Sequence, residues 1–204
     1  MASFDSNALQ KITDAVAAAE KGTAGEIVVV VAERSGTYVG ARAAIALAIT
    51  TLVAFAAALL DADATWVALG FPIVFVATMA VTGVGAVARA IVPRGALEAE
   101  ALRGARVAFV ARGVHQTKDR CGVLVYLSLL EHCVYVVGDA GIHDVVGGDG
   151  WKAYVGRIVG AMKAGQLEGV AAVVADIGAV LGRHFPRAAD DKNELPDAVV
   201  VQRG

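Results

Sequence analysis

Two long apolar stretches near the middle of the chain constrain its fold more than any other feature. Residues 40–60 carry one charge, that of Arg42, and a helix of this length spans about 31 Å, close to the roughly 30 Å hydrocarbon core of a bilayer. Residues 64–92 stay uncharged over nearly their whole length, and the short connection between the stretches contains Asp61 and Asp63. The pattern therefore predicts a membrane-spanning hairpin of two helices with an acidic turn.

The alternative to a membrane hairpin is a pair of helices buried in a soluble core. The chain has 204 residues, which leaves too little other material to cover both helices on every side. Its hydrophobic fraction of 57 % exceeds the roughly 45–50 % that is usual in soluble proteins. The second stretch also contains small residues that allow close contact with the first helix or with a partner helix. They are Gly70, Ala77, Ala80, Gly83, Gly85 and Ala86.

Charges around the hairpin predict its orientation. The acidic turn has no Lys or Arg, whereas both outer flanks contain arginines: Arg34, Arg42, Arg89, Arg94, Arg103 and Arg106. Positive charge favours the cytoplasmic side of a membrane, so we expect both termini and the globular part to be cytoplasmic. The first five residues lack the basic start and apolar run of a signal peptide, which agrees with this placement.

The remaining sequence predicts an α/β domain around the hairpin. The order is a helix (5–22), a strand (26–32), the hairpin, a helix (95–113), two strands (122–129 and 133–138) and two helices (151–163 and 166–182). The first strand is apolar on both faces, as a central strand covered on both sides requires. The turn at 130–132 is so short that the next two strands must be antiparallel neighbours. We expect an αβα sandwich on a small mixed sheet.

The chain accordingly divides into four segments. They are the first part of the α/β domain (1–38), the hairpin (39–93), the remainder of the domain (94–186) and a polar C-terminal tail (187–204). The tail is expected to be mobile and to end in a short β-like run at 198–201. The net charge of −2 and the lack of a basic cluster give no reason to expect nucleic acid as a partner.

Three short motifs outside the hairpin resemble those of one known family. They are residues 23–30 (TAGEIVVV), 115–126 (HQTKDRCGVLVY) and 136–143 (VVGDAGIH), followed by Trp151 and a closing helix that starts at Gly165. Their order and spacing resemble the TPM domain, named for thylakoid-lumen, photosystem-repair and receptor-accessory members. The resemblance covers roughly residues 5–38 and 95–186, which is the whole domain except the hairpin.

The TPM resemblance carries expectations about fold and function. It implies an αβα sandwich, membrane association in many members, and a calcium site or weak acid-phosphatase activity in some plant members. This chain departs from the common pattern because two spans are inserted after the first strand. It also departs in the predicted cytoplasmic placement of the domain, where millimolar calcium is not expected.

Four carboxylates are candidate ligands for a divalent cation such as Ca²⁺ or Mg²⁺, which needs several converging oxygen ligands. Asp139 and Asp144 lie in the loop after the third strand, Asp119 precedes the second strand and Glu26 opens the first. Strand ends are where α/β folds assemble sites. The competing interpretation is structural: the two loop aspartates form turns beside glycines and Glu26 is solvated.

Other catalytic patterns fail on position or composition, and no catalytic residue is assigned. The DxDxT pattern at 61–65 lies in the turn between the two spans rather than at a strand end. The pair His132–Cys133 resembles the start of a thiol-phosphatase loop, but Asp139 stands where that loop needs an arginine to bind phosphate. Nucleotide-binding, zinc-protease and serine-hydrolase motifs are also missing from the sequence.

Two functions remain from the sequence. The first is a non-catalytic, membrane-anchored interaction domain that assists the assembly or maintenance of membrane proteins. Its expected partners are the lipid bilayer and either another membrane protein or a second copy bound through the hairpin. The alternative is a metal-dependent phosphatase of the TPM type that uses the four candidate carboxylates with Ca²⁺ or Mg²⁺.

Overall fold

A computed structural model describes residues 6–142, 146, 150–188 and 193–203. Two compact units share the chain: one contains the residues up to 35 and those from 98 onward, and the other contains residues 36–97. The first unit has the mixed α/β class that the sequence predicts, and the second is helical. Asp144, one of the four candidate metal ligands, lies outside the described residues.

The helices and strands follow the predicted order closely. Along the chain they are α1 (Ser6–Glu20), β1 (Ile27–Ala32), α2 (Val39–Leu59), α3 (Ala64–Thr82), α4 (Gly85–Ile91), α5 (Arg94–Ala111), β2 (Val123–Ser128), β3 (Cys133–Gly138), α6 (Lys152–Lys163), α7 (Gly169–His184) and β4 (Val200–Gln202). A single 3-10 turn, Val114–Gln116, lies between α5 and β2.

The sheet has four strands in the order β3-β2-β1-β4. The two central strands, β1 and β2, run parallel with Ile27 opposite Val123. Strand β3 runs antiparallel to β2, as the short turn between them predicts. Every residue of β1 and β2 is buried, which explains why both read as continuous apolar runs rather than as alternating patterns.

Side chains of the central strands alternate between two apolar clusters on opposite faces of the sheet. On one face, Val29 and Val31 belong to a cluster with residues of α1, α6 and α7, among them Ile12, Val16, Ile158, Val173 and Ile177. On the other face, Val28 and Val30 share a cluster with Ala105 and Ala108 of α5. The sheet is therefore covered by helices on both faces.

The β-like run predicted at 198–201 is present as strand β4, and residues 193–203 pack on the α/β unit, whereas the sequence analysis expected a mobile tail. Strand β4 adds to the edge of β1 in parallel, with Val30 opposite Val200. The N–H of Glu33 donates to the carbonyl of Gln202 at 2.9 Å, and the N–H of Val199 donates to Thr13 Oγ1 at 3.3 Å. A β-branched run beside an otherwise open strand edge gives these residues a binding place, so 193–203 form part of the fold.

In the helical unit, α2 and α3 are each long and apolar enough to cross a membrane, with a mean hydropathy of 2.0. Only 11 % of the most apolar window of α2 is buried, and none of that of α3. A core helix of a soluble protein would be mostly buried, whereas here Leu52, Phe55 and Ile73 are more than half exposed. Asp63 begins α3 by accepting the N–H of Thr65 at 2.8 Å.

The second apolar stretch forms two helices rather than the single one predicted over residues 64–92. Helix α3 ends at Thr82, Val84 is extended, and α4 follows. Arg42 Nη2 donates to the carbonyl of Met79 at 2.8 Å, in the last turn of α3, where the N–H of Gly83 and the hydroxyl of Thr82 also donate to it. A Cβ at Gly83 would lie 2.7 Å from the same nitrogen, so a glycine at this position makes room for the arginine.

Close packing of α1 against α7 supplies a test of the α/β core. A Cβ at Gly178 would collide with the Cβ of Ala19, whereas a Cβ at Gly156 on α6 would meet nothing within 4 Å. We expect Gly178→Ala to lower the free energy of unfolding by about 1–3 kcal/mol through overpacking. Denaturant unfolding of the full chain in detergent measures the change. Gly156→Ala is the matched control, and an equal loss there would contradict the packing argument.

Candidate functional site

Three of the candidate carboxylates lie at the same edge of the sheet. Glu26 immediately precedes β1, Asp119 precedes β2 and Asp139 immediately follows β3. Because β3 is antiparallel to β2, with Gly138 opposite Val123, the end of β3 lies beside the starts of β1 and β2. We call this end of the strands the amino edge of the sheet. It differs from the lateral edge of β1, along which β4 pairs.

Glu26 binds the backbone of residues 194 and 195 near the end of the chain. Its side chain is buried, and its two carboxylate oxygens accept the backbone N–H groups of Glu194 at 3.0 Å and Leu195 at 3.2 Å. Charged acceptors of backbone N–H groups form strong hydrogen bonds. The sequence-based interpretation of Glu26 as a solvated residue is therefore wrong.

Asp139 is paired with a cation that the protein itself supplies. Arg120 Nε lies 2.8 Å from Asp139 Oδ2, although the N–H is not aimed well enough to make a hydrogen bond. Asp139 Oδ1 accepts the N–H of Ala140 at 2.7 Å, as in the turn that the sequence allows. The guanidinium thus occupies a position where a divalent cation would bind this carboxylate.

The loop that contains Asp119 packs tightly against the loop that follows β3. The N–H of Gly141 donates to the carbonyl of Arg120 at 3.1 Å, and a Cβ at Gly141 would lie within 3.0 Å of the carbonyls of Arg120 and Asp119. The side chain of Asp119 itself is exposed. In the part of the chain that the structure describes, no three His, Cys, Asp or Glu residues are placed to hold a metal ion.

Glu20 is a further buried acidic residue at the amino edge, and it was not among the candidates predicted from the sequence. It ends α1, is 7 % exposed, and accepts the N–H of Ile27 on Oε1 at 2.8 Å. Burial raises the pKa of Glu20 to about 8, with further contributions from nearby Glu26 and Asp197. The signal was present in the sequence, because Ile12, Val16 and Glu20 recur every four residues along one helix face.

The opposite edge, where β1 and β2 end, contains a buried polar network. Ser35 Oγ lies 2.6 Å from Ser128 Oγ and 3.0 Å from the hydroxyl of Tyr126. Glu131 accepts the N–H of Ser35 at 2.9 Å and also the hydroxyl of Ser128. Burial raises the pKa of Tyr126, so its hydroxyl stays protonated and can donate. The network ties the last residue before the helical unit to the sheet, and the hydroxyl of Ser128 has a structural role in it.

Cys121 is unsuited to act as a nucleophile. Its thiol is buried and donates to the carbonyl of Ala24, with an S···O distance of 3.1 Å. Burial, reinforced by nearby Asp119, raises the pKa of this thiol to about 11. The thiolate that a nucleophile requires is therefore scarce at neutral pH.

Comparison with known proteins gives the fold and no more. No protein family and no curated protein matches the chain. The BA42 protein of the psychrophilic bacterium Bizionia argentinensis, determined by NMR, is similar over the full length of both chains, with a TM-score of 0.60 and 22 % sequence identity. The two chains share a fold. Likeness at this level of identity does not carry function from one protein to the other.

The raised pKa of Glu20 predicts how stability depends on pH. A carboxyl group with a higher pKa in the folded state binds more protons when folded, so the stability it contributes is present below about pH 4.5 and is lost as pH rises towards 8. The full chain should lose up to about 1.4 kcal/mol per pH unit in this window through Glu20. Glu20→Gln should remove that component from the measured melting temperatures.

Glu168→Gln is the matched control for the pH experiment. Glu168 forms an exposed ion pair with Lys11 at 2.7 Å, so its replacement should leave the pH dependence of the wild type in place. Identical pH profiles for the wild type and Glu20→Gln would show that Glu20 has an ordinary pKa.

Proposed function

We propose that the protein is a membrane-anchored, TPM-like interaction domain that assists the assembly or maintenance of other membrane proteins. The observation that carries the proposal is the pair of helices α2 and α3, which are long enough to cross a bilayer and expose apolar side chains along their length. In this proposal α2 and α3 form a transmembrane hairpin, and the α/β unit is the αβα sandwich that the hairpin anchors.

Exposed apolar area explains why a bilayer is the favoured surrounding of the hairpin. Leu59, Leu60 and Trp66 are exposed by 70 %, 83 % and 75 %. Each square ångström of apolar surface left in water costs about 25 cal/mol, so a hairpin of this kind is unfavourable in solution. Lipid covers such side chains, and Trp66, near the start of α3, suits the interface where aromatic residues anchor a span.

A groove between α2 and α3 offers a place for a partner helix. It encloses about 200 Å³ and is lined by residues that include Thr50, Ala54, Trp66 and Gly70. A Cβ at Gly70 would meet nothing within 4 Å, so the glycine leaves space that a side chain of another helix could fill. Small residues are favoured where membrane helices pack because lipid supplies no hydrophobic driving force between them.

At the amino edge, two of the candidate metal ligands already have partners within the protein. Glu26 binds two backbone N–H groups of the C-terminal residues, and Asp139 is paired with Arg120. A divalent cation at Asp139 would compete with the guanidinium of Arg120 for this carboxylate.

Photocrosslinking in native membranes tests the interaction proposal. A benzoylphenylalanine at Val67, which lines the groove, should give a discrete adduct with one membrane protein or with a second copy. The matched control is the same residue at Leu69, which is 56 % exposed and lies outside the groove. A folded protein that stays monomeric with the probe at either position would contradict the proposal.

Cysteine labelling of intact cells tests the orientation. In a Cys133→Ser background, an impermeant maleimide should label Ala62→Cys in the acidic turn from outside. It should label Lys163→Cys on α6 only after permeabilisation, because arginines flank the hairpin on the cytoplasmic side. The reverse pattern would place the α/β unit outside the cytoplasm.

The metal-dependent phosphatase has a separate test. If it is the function, Ca²⁺ or Mg²⁺ stimulates hydrolysis of a phosphomonoester by the full chain, and Asp139→Ala abolishes the stimulation. Asp14→Ala, an exposed position on α1, is the control. We expect no metal-stimulated turnover in any of the three proteins.

A further inference from the structure

Residues 193–203, which we call the C-terminal strap, are held along one side of the α/β unit by several sets of contacts, among them the N–H of Lys118, which donates to Glu194 at 3.0 Å. Glu26 accepts two backbone N–H groups at the start of the strap, and β4 pairs with β1 at its end. Between them, the N–H of Val199 donates to Thr13 of α1. The strap thereby covers the edge of β1, which would otherwise expose unpaired backbone groups.

Three acidic side chains approach one another beneath the middle of the strap. Glu20 comes from the end of α1, Glu26 immediately precedes β1 and Asp197 lies on the strap itself. Asp197 is near enough to Glu20 to raise the pKa of its carboxyl group. Glu20 Oε2 is buried and has no donor among the described residues. Two ionised carboxylates in contact repel each other, and a buried oxygen without a donor is costly.

One proton removes both problems. If Glu20 is protonated, its Oε2–H donates to the carboxylate of Asp197, and the repulsion between them becomes a hydrogen bond to a charged acceptor. Aspartic-protease dyads share one proton between neighbouring carboxyl groups for the same reason. Asp197 is a suitable acceptor because the side-chain amide of Asn193 also donates to it.

We propose that a proton shared by Glu20 and Asp197 latches the C-terminal strap to the edge of β1, and that loss of this proton releases the strap. Hydroxide takes the proton and becomes water, which leaves two adjacent carboxylates, one of them on α1 and the other on the strap. The strap is the element that yields, because β4 has only three residues whereas Glu20 lies on a packed helix.

The charged groups that face Glu20 from neighbouring segments include Glu26 and Arg187. Glu26, from β1, adds a like charge and is itself held by the strap backbone. Arg187, from the segment after α7, donates to the backbone carbonyl of Glu20 at 3.0 Å. The balance of burial and these neighbours raises the pKa of Glu20 to about 8, so the latch is closed in neutral solution and opens in mildly alkaline solution.

Distance measurements by electron spin resonance on the full chain in detergent test the latch. Nitroxide labels attached through thioether bonds at Ala18→Cys on α1 and Arg203→Cys on the strap, both exposed positions, report strap position in a Cys133→Ser background. We expect one narrow distance distribution at pH 6. A broad component should grow with a midpoint near pH 8 and dominate at pH 9.5.

Three variants and a second label pair make the outcome decisive. Glu20→Gln, whose amide donates a hydrogen bond but does not ionise, and Asp197→Asn, which removes the like charge, should both stay narrow at pH 9.5. Glu168→Gln should open like the wild type. A strap that stays narrow in the wild type at pH 9.5, or opens equally in Glu20→Gln, overturns the proposal. So does broadening of a second pair, Ala18→Cys with Lys163→Cys, because that would mean global unfolding rather than strap release.

Discussion

The parallel pairing of β1 with β2 is the contact on which the rest of the α/β unit depends. The chain leaves β1 at Ala32, forms the whole helical unit, and returns to the sheet at Val123. A parallel pair needs a crossover connection, and here the crossover contains helices α2 to α5. The energy that closes so long a connection comes from burying both faces of two strands rich in valine. The serine and glutamate network at Ser35 fixes the point where the chain leaves the sheet.

The two edges of the sheet have different tasks. At the end of β1 and β2, buried polar groups secure the passage into the helical unit. At the amino edge, Glu26 binds the backbone of the strap, and Asp139 binds the N–H of Ala140 after β3. Arg120 forms an ion pair with Asp139. These carboxylates accept backbone N–H groups and so fix the conformation of the segments that carry them. Among the described residues, the apolar surfaces of α2 and α3 and the groove between them are open to other molecules, and the proposed recognition uses them.

Much of the fold could be predicted from local patterns, because those patterns reflect local physics. The valine run of β1, the short turn between β2 and β3 and the two apolar stretches each dictate their own structure. Contacts between distant residues could not be predicted in this way. The strap depends on Glu26 and Thr13, far away in sequence, and the end of α3 depends on Arg42. Glu26 and Asp139 looked like ligands since composition shows charge but not the partner that already satisfies it. The TPM resemblance stays a prediction.

The long separation of β1 from β2 has a consequence for how the protein is made. During synthesis β1 emerges before either apolar helix, whereas β2 follows β1 by 90 residues. The sheet therefore cannot close until both helices have left the ribosome, and until then β1 is an unpaired apolar strand prone to aggregation. If α2 and α3 enter a bilayer as they are translated, the α/β unit forms only after they have been inserted.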